Sequence, residues 1–350
     1  MDFFRRVLGL FCLLILFACK KEVYSQQQIV FNTPCSIKTT SNVSLSSLFT
    51  FLKEFEVEVD CRMPDSLINS ILANSSEVVF EGLQADIFLE SVRLSRFLQG
   101  AFDPTIGQLV DLWKIGFGGS SVPSMEEIKK ALAGCGIDKT KFFTLEDGRV
   151  KWQRGINITL DYGACAKGYA IDLLLKEQNL ASNSILINLG GNIFVSGESF
   201  NGGKWKIGIQ NPFSYRGDYC LVLELESGFV STSGIYERYF EVEGKRYHHI
   251  LDLKTGYPSE SGLVSVSVIG QNGILCDACS TGFFVLGIDK SAELIKAHNM
   301  ENGDSPISAI FITQGGEVYI TENLKESLTF SSQDKSATNQ IGQEFFLLKN

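Results

Sequence analysis

The sequence predicts an α+β protein: one globular domain with a largely antiparallel sheet core and inserted helices, preceded by an export signal and a short tether. Three observations carry this. Helical spacing is concentrated early in the chain, short strand-like runs separated by glycine turns dominate its second half, and neither a 20–50-residue repeat nor a long low-complexity linker divides it. The early helices are expected over Ser46–Phe55, Asp65–Ala73 and Ala85–Leu98, the last with Ile87, Val92, Leu94 and Phe97 on one face. Strands are expected at Asn157–Leu160, Ser184–Leu189, Trp205–Ile209, Leu221–Leu225, Phe229–Thr232, Tyr236–Val242, Leu263–Ile269 and Ile307–Ile312. Between them, Lys167–Lys176, Cys276–Val285 and Lys290–His298 read as helices.

The first 18 residues place Arg5 and Arg6 before an apolar run from Val7 to Phe17, the order of a secretory signal, and the run is short for a membrane span. It ends Leu16-Phe17-Ala18-Cys19, which resembles a bacterial lipobox with Cys19 as the lipidated residue. An ordinary cleaved signal or an uncleaved anchor helix is the alternative. The expected organisation is a signal peptide at 1–18, a lipidated tether at 19–28, the globular domain at 29–330 and a flexible tail at 331–350. The expected location is the periplasmic, or extracytoplasmic, face of the bacterial inner membrane, with the lipid as the sole membrane contact. Of 350 residues, 31 are Lys or Arg and 40 Asp or Glu, a net charge of −9 that argues against a nucleic-acid partner. Nine cysteines suit an exported chain, but after Cys12 and Cys19 an odd seven remain, without a repeated metal-ligand spacing. They read as small buried residues.

Glycine-rich turns recur at strand ends: Gly100-Ala101-Phe102-Asp103-Pro104-Thr105, Asp161 to Gly168, Asn188-Leu189-Gly190-Gly191-Asn192 and Ser231-Thr232-Ser233-Gly234. Such turns let main-chain N–H groups approach a phosphate or ring, and a helix opening near Lys167 adds its positive end and an ammonium. Each alone reads first as a plain turn. Asp277 and Thr281 stand four apart, which on a helix presents a carboxylate and a hydroxyl on one face, a hard oxygen pair suited to magnesium. On residue type and spacing alone, Asp277 reads first as an N-cap of that helix.

Taken together and in order, AFDPT, DYGACAKGYA, LGGN, STSG, HHILDLKTG and CDACSTG resemble the ApbE family of FAD:protein FMN transferases, in its flavin-trafficking lipoprotein form, from about Phe31 to Gly287. The resemblance implies Mg2+ as cofactor, FAD as substrate and a Thr-bearing flavin-acceptor protein of the redox-pump subunit type as partner, with FMN transferred to the Thr hydroxyl and AMP released. It also implies metal ligands at Ala164, Asp277, Ser280 and Thr281, with Ala164 and Ser280 acting through the backbone. FAD contacts are implied at Phe31, Arg62, Ala101, Phe102, Asp103, Asp161, Lys167 and Ile250. His249 and Asp277 are the expected catalytic residues. His248 is expected to face solvent from the other side of a strand, and His298 to lie at the surface. Two departures stand out. Asn32 replaces a glycine of the family pattern, and Cys61 or Arg62 falls where relatives carry an aromatic ring. The alternatives kept open are a magnesium-dependent FAD pyrophosphatase giving FMN and AMP, and an FAD-binding lipoprotein without turnover.

Overall fold

The computed structural model describes residues 22–348 apart from 64, 73–76, 155–157, 179, 181–183, 332–340 and 343. The signal and Cys19 lie outside the described residues.

The chain opens with β1 (Tyr24–Val30) and β2 (Thr33–Thr39), then α1 (Leu45–Val59), α2 (Leu67–Leu72), β3 (Glu77–Phe80), α3 (Gly82–Phe97), α4 (Gly107–Trp113) and α5 (Met125–Ala133). β4 (Lys141–Thr144), β5 (Val150–Gln153) and α6 (Ala166–Gln178) lead into β6 (Ile185–Leu189), β7 (Asn192–Ser196), β8 (Trp205–Gln210), β9 (Tyr219–Leu225), β10 (Gly228–Gly234), β11 (Tyr239–Val242), β12 (Lys245–His248) and β13 (Leu263–Gly270). α7 (Gly273–Leu286), α8 (Ile288–Glu301), β14 (Ser308–Thr313), β15 (Val318–Ile320), β16 (Leu328–Phe330) and β17 (Phe345–Leu347) complete it.

Nine strands form the main sheet in the order β1-β2-β6-β7-β10-β13-β14-β15-β17, antiparallel except for the β15–β17 pair. One face carries a core of helix side chains, including Phe49, Leu52 and Phe55 of α1 and Phe283 of α7, against Ile187, Val266 and Val268. The other is covered by the β16-β9-β8 sheet, where Ile207, Ile209 and Leu223 meet Val195, Val230 and Ile312. With both faces covered, every residue of β13 is buried, so it reads as a continuous apolar-and-serine run.

Two expectations at the ends are corrected. β1 begins at Tyr24, inside the segment expected to be a tether, because its backbone pairs along all seven residues with β2. The tail contains β17, whose Phe345 stacks on Phe330 with ring centroids 4.4 Å apart. Apolar residues at the end of a polar stretch complete the sheet edge.

α6 and α7 cross at the centre. Their contact is glycine to glycine: a Cβ on Gly168 would lie 2.1 Å from the Gly273 carbonyl oxygen, so neither position has room for a side chain. Asp172 of α6 accepts hydrogen bonds from the Gly273 and Ile274 N–H groups, both 2.8 Å, anchoring the start of α7 beside α6. This crossing fixes where Asp277 points.

Candidate active site

A cavity of about 320 Å³ opens where the β1–β2 hairpin tip, the turns after Gly100 and Asp161, the end of β10 and α7 converge. The hairpin tip is a two-residue turn with positive φ at Phe31 (55°) and Asn32 (53°). Asn tolerates this left-handed backbone, so Asn32 does the work of the glycine it replaces. Phe31 N–H donates to Glu56 Oε1 (2.6 Å), and its ring packs edge-on against Phe55, which fixes the ring at the cavity wall.

At the floor, Asp277 is 5% exposed. Its Oδ2 accepts from Gly168 N–H (3.0 Å) and lies 3.7 Å from Lys167 Nζ, while Oδ1 accepts from Asn192 Nδ2 (3.1 Å). Lys167 also donates to the Gly163 carbonyl (3.0 Å), which holds the ammonium over the turn. Asn192 presents its Oδ1 as a buried acceptor without a hydrogen-bond partner, and the residue lines the cavity. Thr281 Oγ1 stands one turn along α7 on the same face and meets Ser233 Oγ at 3.1 Å. A carboxylate, an orphaned amide oxygen and a hydroxyl lining one cavity make an all-oxygen donor set whose chemistry fits a hard divalent cation.

The mouth is cationic and aromatic. Arg62 reaches Asp60 (3.3 Å) and Asp161 (3.7 Å) and lies 4.8 Å from the centre of the Phe117 ring; Arg238 lies 4.9 Å from the same ring. Asp161 Oδ1 accepts from Gly163 N–H (2.7 Å), closing the glycine turn. His249 Nδ1 sits 3.3 Å from the Arg238 carbonyl. A carbonyl only accepts, so Nδ1 carries the proton and Nε2 keeps its lone pair. Burial, with the Arg238 charge adding to it, pulls the His249 pKa down to about 3, so the ring is neutral across the physiological range.

The sequence matches the ApbE family over residues 31–302. The chain belongs to the ApbE family. It is 32% identical over 326 residues to the FAD:protein FMN transferase of Klebsiella pneumoniae, covering 89% of this chain and 96% of that one. It is 31% identical over 300 residues to the protein of the same name from Treponema pallidum, covering 78% and 81%. Among solved structures, the ApbE protein of Thermotoga maritima superposes with a TM-score of 0.75 at 28% identity, covering 87% of this chain and 99% of that one. Flavin transferase ApbE from Vibrio cholerae gives 0.72 at 25%, with the same coverage.

Most residues that the ApbE resemblance singled out line this one cavity: Phe31, Arg62, Ala101, Phe102, Asp103, Asp161, Ala164, Lys167, His249, Ile250, Asp277 and Thr281. Two are there with their side chains engaged otherwise. Asp103 spends both oxygens internally, Oδ1 accepting from Thr105 N–H (2.8 Å) and Thr105 Oγ1 (2.6 Å) and Oδ2 from Ile137 N–H (2.9 Å), so its carboxylate shapes the loop. Ile250 is 3% exposed and packs in the core. Ser280 is not in the wall: it is 1% exposed, with its hydroxyl donating to the Asp277 carbonyl and meeting Ser233 Oγ, both 2.8 Å.

His248 corrects the solvent-facing expectation. It is 7% exposed against Phe284, its Nε2–H donating to the Ser259 carbonyl (3.1 Å) and its Nδ1 accepting from Ile250 N–H (3.3 Å). α7 covers the strand face that alternation assigns to solvent. His298 is half-buried, with Nε2 3.3 Å from the Ser305 carbonyl and its ring near Phe97. The cysteine expectation holds among the described residues: six are buried, Cys61 is half-buried and all are free thiols. Sequence reasoning assigned no role to Asn192, Phe117 or Arg238. Asn192 stands in the LGGN turn; Phe117 lies between glycines in a turn outside the motifs quoted above, and Arg238 among aromatic residues without a marker.

Proposed function

We propose that this chain transfers the FMN half of FAD to a Thr hydroxyl of a partner flavoprotein, with AMP as the leaving group, and depends on magnesium. The observation that carries the reading is the convergence of Asp277, the orphaned Asn192 oxygen, Lys167 and neutral His249 on one cavity in a chain of the ApbE family. The acceptor oxygen bonds to the phosphorus of the FMN half, the phosphoanhydride bond breaks, and AMP departs with the bridging oxygen. His249 Nε2 takes the hydroxyl proton, its ring held in that tautomer by the Arg238 carbonyl. Lys167 binds and orients the diphosphate. Asp277, Thr281 Oγ1, Asn192 Oδ1 and the Ala164 carbonyl would hold magnesium, which when bound neutralises charge on the phosphate oxygens.

Hydrolysis breaks the same bond with water as acceptor, and one feature favours it: Arg216 lines the cavity with its side chain 74% exposed, which keeps the mouth polar and wet. One experiment tests both readings. FAD and magnesium are supplied with and without a Thr-bearing flavin-acceptor domain, and AMP and protein-bound flavin are followed together. Transfer gives AMP in step with flavin on the acceptor; rapid AMP release indifferent to acceptor, with none labelled, would overturn it in favour of the pyrophosphatase. The order of Arg5, Arg6, the apolar run and Ala18-Cys19 supports a lipid anchor at Cys19 and a site facing the periplasm. No helix among the described residues is long and apolar enough to cross a membrane.

A further inference from the structure

Two guanidinium groups flank the Phe117 ring at nearly equal distance, 4.8 Å for Arg62 and 4.9 Å for Arg238. Like charges so placed repel, and the two are compensated unequally. Arg62 has Asp60 at 3.3 Å and Asp161 at 3.7 Å. Arg238 makes no ion pair among the described residues; neighbouring Glu237 turns instead toward Arg216, at 3.9 Å. Burial and then the Arg62 charge pull the Arg238 pKa below its ordinary value, outweighing Asp161, Glu237 and Asp60, which act in the other direction.

The geometry points to Arg238 as a phosphate-binding residue of this cavity, taking diphosphate oxygens of a flavin dinucleotide beside His249. The inference rests on the flavin-transfer reading and adds a residue to it. The choice of phosphate over a ring follows from which part of the guanidinium is free. One face lies against Phe117, and among the described residues no ion pair engages its N–H groups, so its N–H edge remains available. That edge is a planar fork matching two oxygens of one phosphate. The Arg238 main-chain carbonyl also receives His249 N–H (3.2 Å) and Nδ1 (3.3 Å), and the Arg238 charge acts on the His249 ring, so an anion on that guanidinium is close to the base.

The test compares Arg238→Gln and Arg238→Lys with the wild type by flavin fluorescence and calorimetry, using FAD, riboflavin and inorganic pyrophosphate as probes. A lost charge-assisted contact should weaken FAD binding in Arg238→Gln by roughly 10- to 100-fold and raise the pyrophosphate inhibition constant in parallel, with riboflavin affinity within about twofold. Arg238→Lys, which keeps the charge but not the fork, should fall between, and the melting temperature of each variant guards against misfolding. Equal losses for FAD and riboflavin would assign Arg238 to packing and overturn the inference. Unchanged FAD and pyrophosphate affinities would overturn it too and leave Arg238 to a carboxylate of the acceptor protein. A wild type that binds pyrophosphate through Arg238 but not FAD would instead sink the flavin-transfer reading, so the two failures are distinguishable.

Discussion

Adding one methyl group at Gly168 tests how the fold sets up the chemistry. The new Cβ would lie 2.1 Å from the Gly273 carbonyl oxygen, 2.4 Å from its carbon and 2.9 Å from Asp277 Cβ. Those neighbours are backbone or the first atom of a pinned side chain, so no rotamer change relieves the clash, and α6 and α7 must separate by about 1 Å. Overpacking costs typically about 1–3 kcal/mol, and with backbone opposing backbone the upper end applies. At roughly 2–4 °C per kcal/mol for a domain of this size, Gly168→Ala should lower the melting temperature by about 6–12 °C. The separation also stretches the 3.0 Å bond from Gly168 N–H to Asp277, so magnesium-dependent AMP release should fall further than the stability loss explains. Gly303 supplies the control, because a Cβ there has nothing nearer than 3.9 Å; Gly303→Ala should stay within about 0.5 kcal/mol of wild type. Thermal scanning and a coupled AMP assay on the two variants decide the matter. A Gly168→Ala protein that melts like wild type and keeps its activity would refute the rigid crossing.

Asp277→Ala should cut magnesium-dependent AMP release by roughly a thousandfold while weakening FAD binding less than about tenfold, since its carboxylate acts on charge building in the transition state; equal losses would mean that Asp277 only buttresses α7. His248, held down to about 4 by burial, stays neutral in the fold while an unfolded histidine takes its proton near 6.5. Its contribution to stability is therefore complete above 6.5 and is lost as the pH falls to about 4, up to about 3 kcal/mol. His248→Gln should flatten the melting temperature between those limits, and an unaltered slope would remove His248 from the account. Replacing Cys19 by Ser should move the protein from the membrane to the soluble fraction, and a wild type already soluble and lipid-free would refute the anchor.

Periodicity gave away the long helices and central strands because burial on one side leaves a repeating mark: α1, α3 and α6 to α8 lie within a few residues of where spacing puts them. The unanticipated elements are short or two-sided. β1 is largely glutamine and serine, so its pairing rests on backbone bonds and the turn at Phe31-Asn32. β3 to β5 form a separate small sheet of four-residue strands, too brief for alternation to register. The site divides in the same way. Glycine turns and the 277/281 pair announce themselves by composition and interval, whereas Asp103 looks like a ligand contact until its three internal bonds are seen, and Arg238 gains meaning only from the ring it shares with Arg62.

The hairpin that carries Phe31 also sets a reach. Tyr24 is five residue steps from Cys19, a span of at most about 18 Å even fully extended. β1 then runs from Tyr24 to Val30, about 20 Å of strand, and delivers Phe31 to the cavity wall. A lipid on Cys19, as proposed above, would moor the cavity within about 40 Å of the bilayer surface and keep it from searching the periplasm. Acceptors would then have to bring their hydroxyl down to that height, which would select for ones themselves embedded in, or tethered to, the same membrane.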